Sequence, residues 1–302
     1  MHPKLTVIMR SRENENLSHA IQSVVDSSTA GPETEIVIVA YSDKFSDFIT
    51  GQVRTIKCSA KRVEAKVIGV NAARGEKIMF LDSDQMIAPD LIPKILKFDH
   101  DMGIVPERSQ NVNIMARLMT SKRICTEKRM RREIDLSLPV IPRIFSKELI
   151  EKTFNTIDQR IIKNVTEFED SIIFYEAMKH SNDIGWIESY IFNLDPGLKE
   201  FLRKSYDYGS KNERAILDGN LGEEHIELIR EIQFETLINN RSLSLSMLLL
   251  NLLRGIPYVL GSVGSYYIRK NAPEDYGIRN ISNGTVSKIL RKSRIRPHKI
   301  TY

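Results

Sequence analysis

Two aspartates separated by one residue, Asp82 and Asp84, follow an apolar run in the sequence. Residues 77–81 read Lys-Ile-Met-Phe-Leu, which is typical of a strand buried on both faces of a sheet. Side chains at i and i+2 of a strand point the same way, so we expect the two carboxylates to converge. Carboxylates and substrate phosphates are ligands that Mg²⁺ and Mn²⁺ prefer. The motif predicts a divalent metal on Asp84, with Asp82 beside it, although an acidic pair in a turn often marks only a turn.

A second acidic pair, Glu169-Asp170, opens a helical pattern further along the chain. Acidic residues stabilise the first turn of a helix through its dipole, and this alone explains many such pairs. With the metal motif upstream, the pair also offers a carboxylate that can take a proton from an attacking hydroxyl. Neighbouring acids raise the pKa of one member, which suits a base. We therefore predict Asp170 as the catalytic base, with Glu169 as its neighbour.

Basic residues near these acids could neutralise a diphosphate. Each of them taken alone is more simply a surface charge. The candidates are Arg10, Arg12, Lys66 and Arg143.

The elements that must position these residues alternate between strand and helix. Apolar runs predict strands at 5–10, 35–40, 53–58, 77–81 and 103–106. Helical spacing between them predicts helices at 13–26, 62–73 and 92–98. This order predicts an α/β fold, a Rossmann-like open and mostly parallel sheet flanked by helices. Ligands of such sheets bind beyond the carboxyl ends of the strands, where Asp82 and Asp84 lie.

Composition places the chain among ordinary globular proteins, with 302 residues, 41% hydrophobic and 27% charged. Two cysteines, Cys58 and Cys125, offer neither a disulfide framework nor metal-ligand spacing. Residues 1–8 run directly into a strand pattern without a secretory signal. We therefore expect a reduced, cytosolic setting.

The C-terminal part of the chain differs in character from the rest. Residues 276–302 contain seven Lys and Arg and no Asp or Glu, which exceeds the net charge of +5 for the whole chain. Two apolar arms precede this basic tail, within 243–268, and Arg254-Gly-Ile-Pro257 separates them. A charge and a proline at the centre disfavour a spanning helix. We expect two short interfacial helices or a shallow re-entrant hairpin. The open alternative is a buried helical hairpin in a soluble domain.

These residues resemble inverting family-2 glycosyltransferases with the GT-A (nucleotide-diphospho-sugar transferase) fold, over roughly residues 4–212. The most specific element is Ala72-Ala-Arg-Gly-Glu-Lys-Ile-Met-Phe-Leu-Asp-Ser-Asp84, which is similar to the family's Ala-x-Gly-Glu followed by Phe-Leu-Asp-x-Asp. The segment Thr6-Val-Ile-Met-Arg-Ser-Arg-Glu-Asn-Glu-Asn-Leu17 resembles the opening strand and turn. Glu169-Asp170 stands where the family has its Glu-Asp, whose Asp is the base.

The resemblance implies binding of a nucleotide-diphosphate sugar by residues from four parts of the chain. That expected set is Arg10, Ser11, Glu13, Lys66, Asp82 and Arg143. Three positions depart from the family pattern. The helix before Gly75 usually offers Ala-Arg-Asn, and here it reads Ala65-Lys66-Val67. Ala40 ends the second strand where an acidic residue usually contacts the nucleoside. Asn193 stands where many members have a metal-binding histidine.

We therefore expect a catalytic domain at 1–215 and a helical, membrane-associating extension at 216–302. The expected activity is transfer of a sugar, of the hexosyl type, to a hydroxyl of a glycan or lipid-linked acceptor, with Mg²⁺ or Mn²⁺. The arms and the tail would bind an anionic membrane, not nucleic acid, at its cytoplasmic face as a peripheral or monotopic protein. Two alternatives remain open. One is a nucleotidyltransferase on a similar sheet, although Met9–Glu15 lacks the glycine of a phosphate loop. The other is a membrane-binding relative that has lost catalysis.

Overall fold

The computed structural model describes residues 2–11, 16–27, 33–41, 52–165, 168–217, 219, 221–237 and 245–270. The chain divides into a large compact unit, residues 1–266, and a second unit of residues 267–302, of which only 267–270 are described. The basic tail, Arg12 and Glu13 lie outside the described residues.

A seven-stranded sheet forms the centre of the large unit, in the order β3-β2-β1-β4-β8-β6-β9. Neighbouring strands are parallel except that β8 runs antiparallel to both β4 and β6. The predicted α/β fold with an open, mostly parallel sheet is confirmed. The strands are β1 Leu5–Ser11, β2 Thr34–Ala40, β3 Val53–Lys57, β4 Lys77–Asp82, β6 Met102–Ile104, β8 Ile144–Ser146 and β9 Ile184–Trp186.

Helices cover the sheet and extend beyond it. Those of the first 180 residues are α1 Leu17–Ser27, α2 Arg62–Ala72, α3 Leu91–Lys97, α4 Ile114–Met130, α5 Lys147–Thr156, α6 Gln159–Asn164 and α7 Glu169–Met178. Three further helices follow, α8 Leu198–Leu217, α9 Glu223–Leu237 and α10 Leu245–Lys270. The predicted domain boundary at 215 falls inside α8 and stays a prediction.

Two hydrophobic clusters lie on opposite faces of the sheet. Successive residues of β1 alternate between them, with Ile8 in one cluster and Val7 and Met9 in the other. In β4, Phe80 and Leu81 alternate in the same way. Both strands are therefore buried on both faces, which explains why their sequences are continuously apolar. This burial fixes the end of β4, where the aspartates stand.

A small second sheet lies beside the end of β4. It consists of β5 Gln85–Ile87, β10 Ile191–Asn193 and β7 Glu107–Ser109, with β10 in the middle. β10 pairs with β5 in antiparallel and with β7 in parallel orientation. The register sets Asn193 opposite Gln85. Polar side chains from three distant parts of the chain thus meet next to the Asp82–Asp84 turn.

The two predicted apolar arms form one helix, α10, with Pro257 inside it, so the prediction of separate helices or a hairpin is wrong. A proline removes one backbone hydrogen bond and costs about 3 kcal/mol in a helix interior. Packing against α8 offsets that cost. A Cβ atom at Gly209 of α8 would overlap the carbonyl oxygen of Tyr258, and one at Gly261 would overlap the carbonyl oxygen of Tyr206. Glycines therefore let the backbones of α8 and α10 touch.

Candidate active site

The Asp82–Asp84 motif lies at the carboxyl end of β4, as the sequence predicts. The backbone N–H of Asp82 donates to Oε1 of Gln85 at 3.0 Å, which closes the turn that carries Asp84. About half of the Asp82 side chain is exposed, 52%. Its carboxylate is therefore held by a buried strand but remains open to a ligand.

Arg143 joins the two acidic motifs. It precedes β8, the neighbour of β4, and is only 7% exposed. Its Nη1 lies 3.4 Å from Oδ2 of Asp82 and 3.3 Å from Oδ2 of Asp170. Its Nη2 donates to Oε1 of Glu107 at 2.8 Å. Desolvation works against the charged guanidinium, but Glu107 and Asp82 outweigh it and raise the pKa of Arg143, which stays charged.

The Glu169-Asp170 pair lies in the first turn of α7 and faces α2. Asp170 accepts a hydrogen bond from the ammonium of Lys66. Glu169 pairs with Arg62, one turn earlier on α2, at 2.9 Å. Phe168, directly before the pair, adopts the left-handed conformation with φ 57°, which side chains other than glycine rarely do. The chain thus turns sharply to aim the pair at the end of the sheet.

Lys66 lies among these charges with little access to water, its side chain 10% exposed. Its ammonium also stands 5.1 Å from the centre of the Phe80 ring. Desolvation lowers the pKa of Lys66 to about 8, although the carboxylates of Glu169 and Asp82 act against it. The amine therefore titrates close to neutral pH.

The donor set at Asp82 and Asp84 fits a hard divalent cation. Desolvation and the adjacent Asp82 carboxylate raise the pKa of Asp84, and the charges of Lys204 and Arg143 offset this only in part. Desolvation also opposes ionisation of Asp82, but Arg143 and Lys66 outweigh it and lower the pKa of Asp82. A cation at Asp84 would relieve the repulsion between the two carboxylates.

Asn193 does not offer a free ligand to such a cation. Its Oδ1 accepts from Gln85 at 2.8 Å, and its Nδ2 donates to Glu107 at 3.0 Å. The backbone N–H of Leu194 donates to the carbonyl of Asp84 at 3.2 Å. The strand therefore lies beside the aspartates, but its amide is used within the small sheet. A metal at this site would therefore be coordinated by Asp82 and Asp84.

Most of the other predicted donor-binding residues also lie around this site. Arg10 is the register partner of Asp82 on β1, and its charge acts on that carboxylate. Ser11 ends β1 and is fully buried next to Ala40, so it is not exposed to a donor in this conformation. Its hydroxyl has no hydrogen-bond partner among the described residues. Ala40 is fully buried too.

Comparison with known proteins supports the fold. No protein-family model and no curated protein matches the sequence. The crystal structure of S. aureus TarS 1-349 in complex with UDP is similar, with a TM-score of 0.50, 13% identity, and 93% of this chain aligned to 95% of that one. This chain has the GT-A fold.

Two further structures align with lower scores. The mannosyltransferase PcManGT from Pyrobaculum calidifontis, in complex with GDP-Man and Mn²⁺, has a TM-score of 0.49 and 13% identity over 89% of this chain and 86% of that one. A longer crystal structure of S. aureus TarS has a TM-score of 0.49 and 15% identity over 79% of this chain. The alignment spans 44% of that longer TarS chain.

Within the GT-A fold, sequence reasoning missed two charged residues of the site. Arg62 stands four residues before Lys66, so both lie on one face of α2. This four-residue spacing is the sequence signal that could have identified Arg62. Glu107 accepts from Arg143 and Asn193 and lies 3.9 Å from Nε of Arg123. Nothing in the local sequence singles out Glu107, because its partners are 16 to 86 residues away.

A cavity of about 220 Å³ adjoins this part of the GT-A fold. Glu107 lines it, and Glu107 is also the residue that holds Arg143. The remaining wall comes from α4, from the segment 139–141, from Trp186 and Phe201, and from Leu250 and Arg254 of α10. Glu107 therefore connects the wall of the cavity to the carboxylate site through its hydrogen bond with Arg143.

A separate charged cluster lies at the other end of α7. Nε2 of His225 is 2.7 Å from Glu176, and Glu224 lies nearby. Lys179 contacts both carboxylates, at 2.8 and 3.0 Å. His225 has no metal-ligand spacing in the sequence, and the Lys179 ammonium already balances the acids. The cluster is an ion network that connects α7 with α9.

Proposed function

We propose that this chain is an inverting glycosyltransferase that moves a sugar from a nucleotide-diphosphate sugar to an acceptor hydroxyl. The observation that carries the proposal is the arginine shared by Asp82 and Asp170. One carboxylate belongs to a motif suited to a metal, and the other is suited to a base. Arg143 brings both to one point at the end of the sheet, where GT-A and related folds bind ligands.

The donor diphosphate would lie against the cations of the site. Arg143 and Lys66 would face its phosphate oxygens, and Arg10 is close enough to add charge. Asp84 and Asp82 would hold a Mg²⁺ or Mn²⁺ ion, which would neutralise charge on the leaving group when bound. The similar TarS 1-349 structure is a complex with UDP, the product that a UDP-sugar donor would release.

Asp170 would act as the base in a single displacement. Its pairs with Lys66 and Arg143 favour the carboxylate form, which is the form that accepts a proton. The acceptor oxygen forms a bond to the anomeric carbon as its proton passes to Asp170. The bond from that carbon to the diphosphate breaks, and the electron pair leaves with the diphosphate. Attack opposite the leaving group inverts the anomeric configuration.

The helix α10 would bring this site to a membrane surface. Its segment Leu248–Ile268 is long and apolar enough, by length and composition alone, to cross a bilayer. One face instead packs in the large unit, through Leu250, Tyr258 and Gly261. The opposite face exposes an apolar stripe of Leu248, Leu249, Leu252, Ile256, Val259, Leu260 and Val263.

We infer that this stripe lies in the interface of a bilayer with anionic headgroups, on the cytoplasmic side. The exposed residues recur at three- and four-residue spacing, which is the pattern of an interfacial helix. The seven positive charges of residues 276–302 follow directly in the sequence and complement anionic lipid. A lipid-linked or glycan acceptor, and a hexosyl donor, fit this placement.

The test combines nucleotide binding with turnover. Thermal unfolding is measured with a panel of nucleoside diphosphates, with and without Mn²⁺, and donor hydrolysis is measured for each stabilising nucleotide. Asp170→Asn should bind the nucleotide as the wild type does and lose transfer. Glu151→Gln, an exposed carboxylate that pairs only weakly with Lys147, serves as the matched control. If no nucleoside diphosphate stabilised the protein, a non-catalytic membrane binder would be the better reading.

A further inference from the structure

The two most exposed large apolar side chains among the described residues lie outside α10, where the segment after β7 enters α4. Val112 is 80% exposed and Ile114 is 75% exposed, more than any residue of the α10 stripe. Between them, Asn113 caps α4 by accepting a hydrogen bond from the backbone N–H of Ala116 at 2.8 Å. The two side chains are therefore exposed at a turn that the cap anchors.

The segment that leads into α8 carries a second exposed apolar pair beside this turn. Leu194 is 42% exposed and Leu198 is 48% exposed. Two hydrogen bonds between the side chain of Asn111 and the backbone of Asp195, at 2.8 and 3.3 Å, join the two segments. We call the four exposed residues the loop patch, which consists of Val112, Ile114, Leu194 and Leu198.

The loop patch adjoins α10. Met115 directly follows Ile114, Phe201 stands three residues after Leu198, and both cluster with Leu250 of α10. Around Leu250 the helix exposes the first residues of its apolar stripe, Leu248, Leu249 and Leu252. One small buried cluster therefore joins exposed apolar residues from three parts of the chain.

Positive charge surrounds the loop patch. Three basic side chains are exposed in the same two segments, Arg117, Lys199 and Arg203. The two acids of these segments are already paired. Asp195 is buried in a two-point pair with Arg123, and Glu200 pairs with Lys204 at 3.0 Å. Exposed apolar side chains with cations beside them have the composition that binds the interface of an anionic bilayer.

We propose that the loop patch is a second membrane contact, which enters the same anionic leaflet as the stripe of α10. The inference rests on the proposed function, because it needs α10 to lie at a bilayer. Lipid is the occupant that the surroundings favour, since the adjoining segment Leu248–Ile268 is apolar enough, by length and composition alone, to cross a membrane. An exposed apolar patch on a protein surface otherwise marks a contact with another protein, so the test includes that outcome.

A second contact would fix the orientation of the active site. One interfacial helix leaves the protein free to rotate about the helix axis, whereas two contacts on different elements do not. The loop patch lies next to the Asp84 turn, because the backbone N–H of Leu194 donates to the carbonyl of Asp84 at 3.2 Å. The predicted metal site would therefore lie close to the headgroups, and this placement favours a lipid-linked acceptor over a soluble glycan.

Site-directed fluorescence tests the contact at single positions. In the full chain, Cys58 and Cys125 are replaced by serine, and one cysteine is introduced as Ile114→Cys, Ile256→Cys or Val25→Cys and labelled with a nitrobenzoxadiazole group. Phosphatidylcholine vesicles are added with and without phosphatidylglycerol. The emission of the first two labels should rise about twofold and shift to the blue with anionic vesicles, because an apolar interface replaces water around them. The Val25→Cys label, on α1, should not respond.

Substitutions then measure how much the loop patch contributes to binding. Ile114→Glu should reduce co-sedimentation with anionic vesicles about tenfold, since it removes apolar surface and adds a charge that anionic headgroups repel. It should fold normally, because the side chain is exposed and an acid is favourable in the first turn of a helix. Ile114→Leu is the matched control and should bind as the wild type does. Both variants should retain the nucleotide affinity of the wild type.

The outcomes separate this inference from the proposed function. An unresponsive Ile114→Cys label in a protein whose Ile256→Cys counterpart responds would overturn the second contact and leave the placement of α10 intact. Silence of both labels would refute the membrane placement itself. A change in the Ile114→Cys emission that needs no vesicles and grows with protein concentration would identify a second copy of the chain as the occupant, and would also overturn the proposal.

Discussion

The Oδ2 oxygens of Asp82 and Asp170 lie 3.4 and 3.3 Å from the same nitrogen, Nη1 of Arg143. The two carboxylates are 88 residues apart in the chain and belong to different elements, β4 and α7. A single buried guanidinium therefore sets the geometry between the predicted metal site and the predicted base.

Replacing Arg143 tests this arrangement. Arg143→Met should lower the rate of transfer about 100-fold, because it removes a preorganised charge from the site. Arg143→Lys should recover only part of the rate, since an ammonium is a point charge and cannot reach Glu107 and both aspartates at once. The kcat for release of nucleoside diphosphate measures both. Arg132→Met, an exposed arginine after α4, is the control, and a wild-type rate in Arg143→Met would contradict the assignment.

The pKa of about 8 at Lys66 predicts a pH dependence of donor binding. Below that pH the amine is charged, and as pH rises through it the charge is lost. The Kd of the nucleoside diphosphate should therefore be lowest near pH 7 and rise progressively as the pH passes through 8. Lys66→Arg should stay flat to higher pH because the guanidinium does not titrate there. Isothermal calorimetry from pH 7 to 9.5 measures this, and parallel curves for the two proteins would count against a role for Lys66.

Replacing Asp84 should stabilise the metal-free protein and weaken its response to Mn²⁺. Its raised pKa means that the folded protein disfavours its charged form, so Asp84→Asn should increase the free energy of unfolding at pH 7 without metal. The same change should remove the extra thermal stabilisation that Mn²⁺ gives to the nucleotide complex. Urea unfolding and thermal shift measure the two effects. A variant that is less stable without metal, or that keeps its Mn²⁺ response, would show that Asp84 is not the ligand.

The left-handed conformation of Phe168 predicts that glycine at this position gives a more stable protein than alanine does. Phe168→Gly and Phe168→Ala lose the same ring contacts, but alanine retains a Cβ atom that costs about 1 kcal/mol in this conformation. We expect the glycine variant to be the more stable of the two by about that amount. At Lys152, exposed within α5, the order should reverse, because glycine costs about 1 kcal/mol in a helix. Urea unfolding of the four variants compares them directly.

Membrane binding should depend on the exposed stripe of α10. Ile256→Glu and Leu260→Glu place charges where the side chains are 61% and 59% exposed, so folding should be unaffected. Both should reduce co-sedimentation with anionic vesicles, because burying a charge in the interface is unfavourable. Val25→Glu, at a partly exposed apolar residue of α1, is the control. Undiminished vesicle binding would mean that the stripe has another partner.

Local patterns in the sequence were sufficient to predict the central sheet. The apolar runs of β1, β2 and β4 are continuous because these strands are buried on both faces, and such runs are recognisable in the sequence. The predicted helix at 62–73 is confirmed as α2 for a similar reason, since its spacing is regular. Strands of three residues, such as β5, β7 and β10, carry no period that could be recognised, and they form only because the larger sheet places them together.

The sequence was sufficient to predict those site residues that belong to a motif at the end of a recognisable strand or helix. It was not sufficient to predict the others. Asp82, Asp84 and Asp170 stand at the ends of recognisable elements, so their types and places could be read. Glu107 could not be recognised, because its role comes entirely from contacts with Arg143 and Asn193. The continuity of α10 was missed as well, since the sequence shows a proline but not the packing that tolerates it.

The contact of α8 with α10 means that the helix we assign to the membrane is not a removable attachment. A chain shortened before Leu245 would retain every carboxylate of the site. It would nevertheless uncover Met115 and Phe201, which cluster with Leu250, and it would remove Arg254 from the wall of the cavity. Such a shortened protein should aggregate. Solubilising this protein therefore calls for polar substitutions along the exposed stripe, with the helix itself left in place.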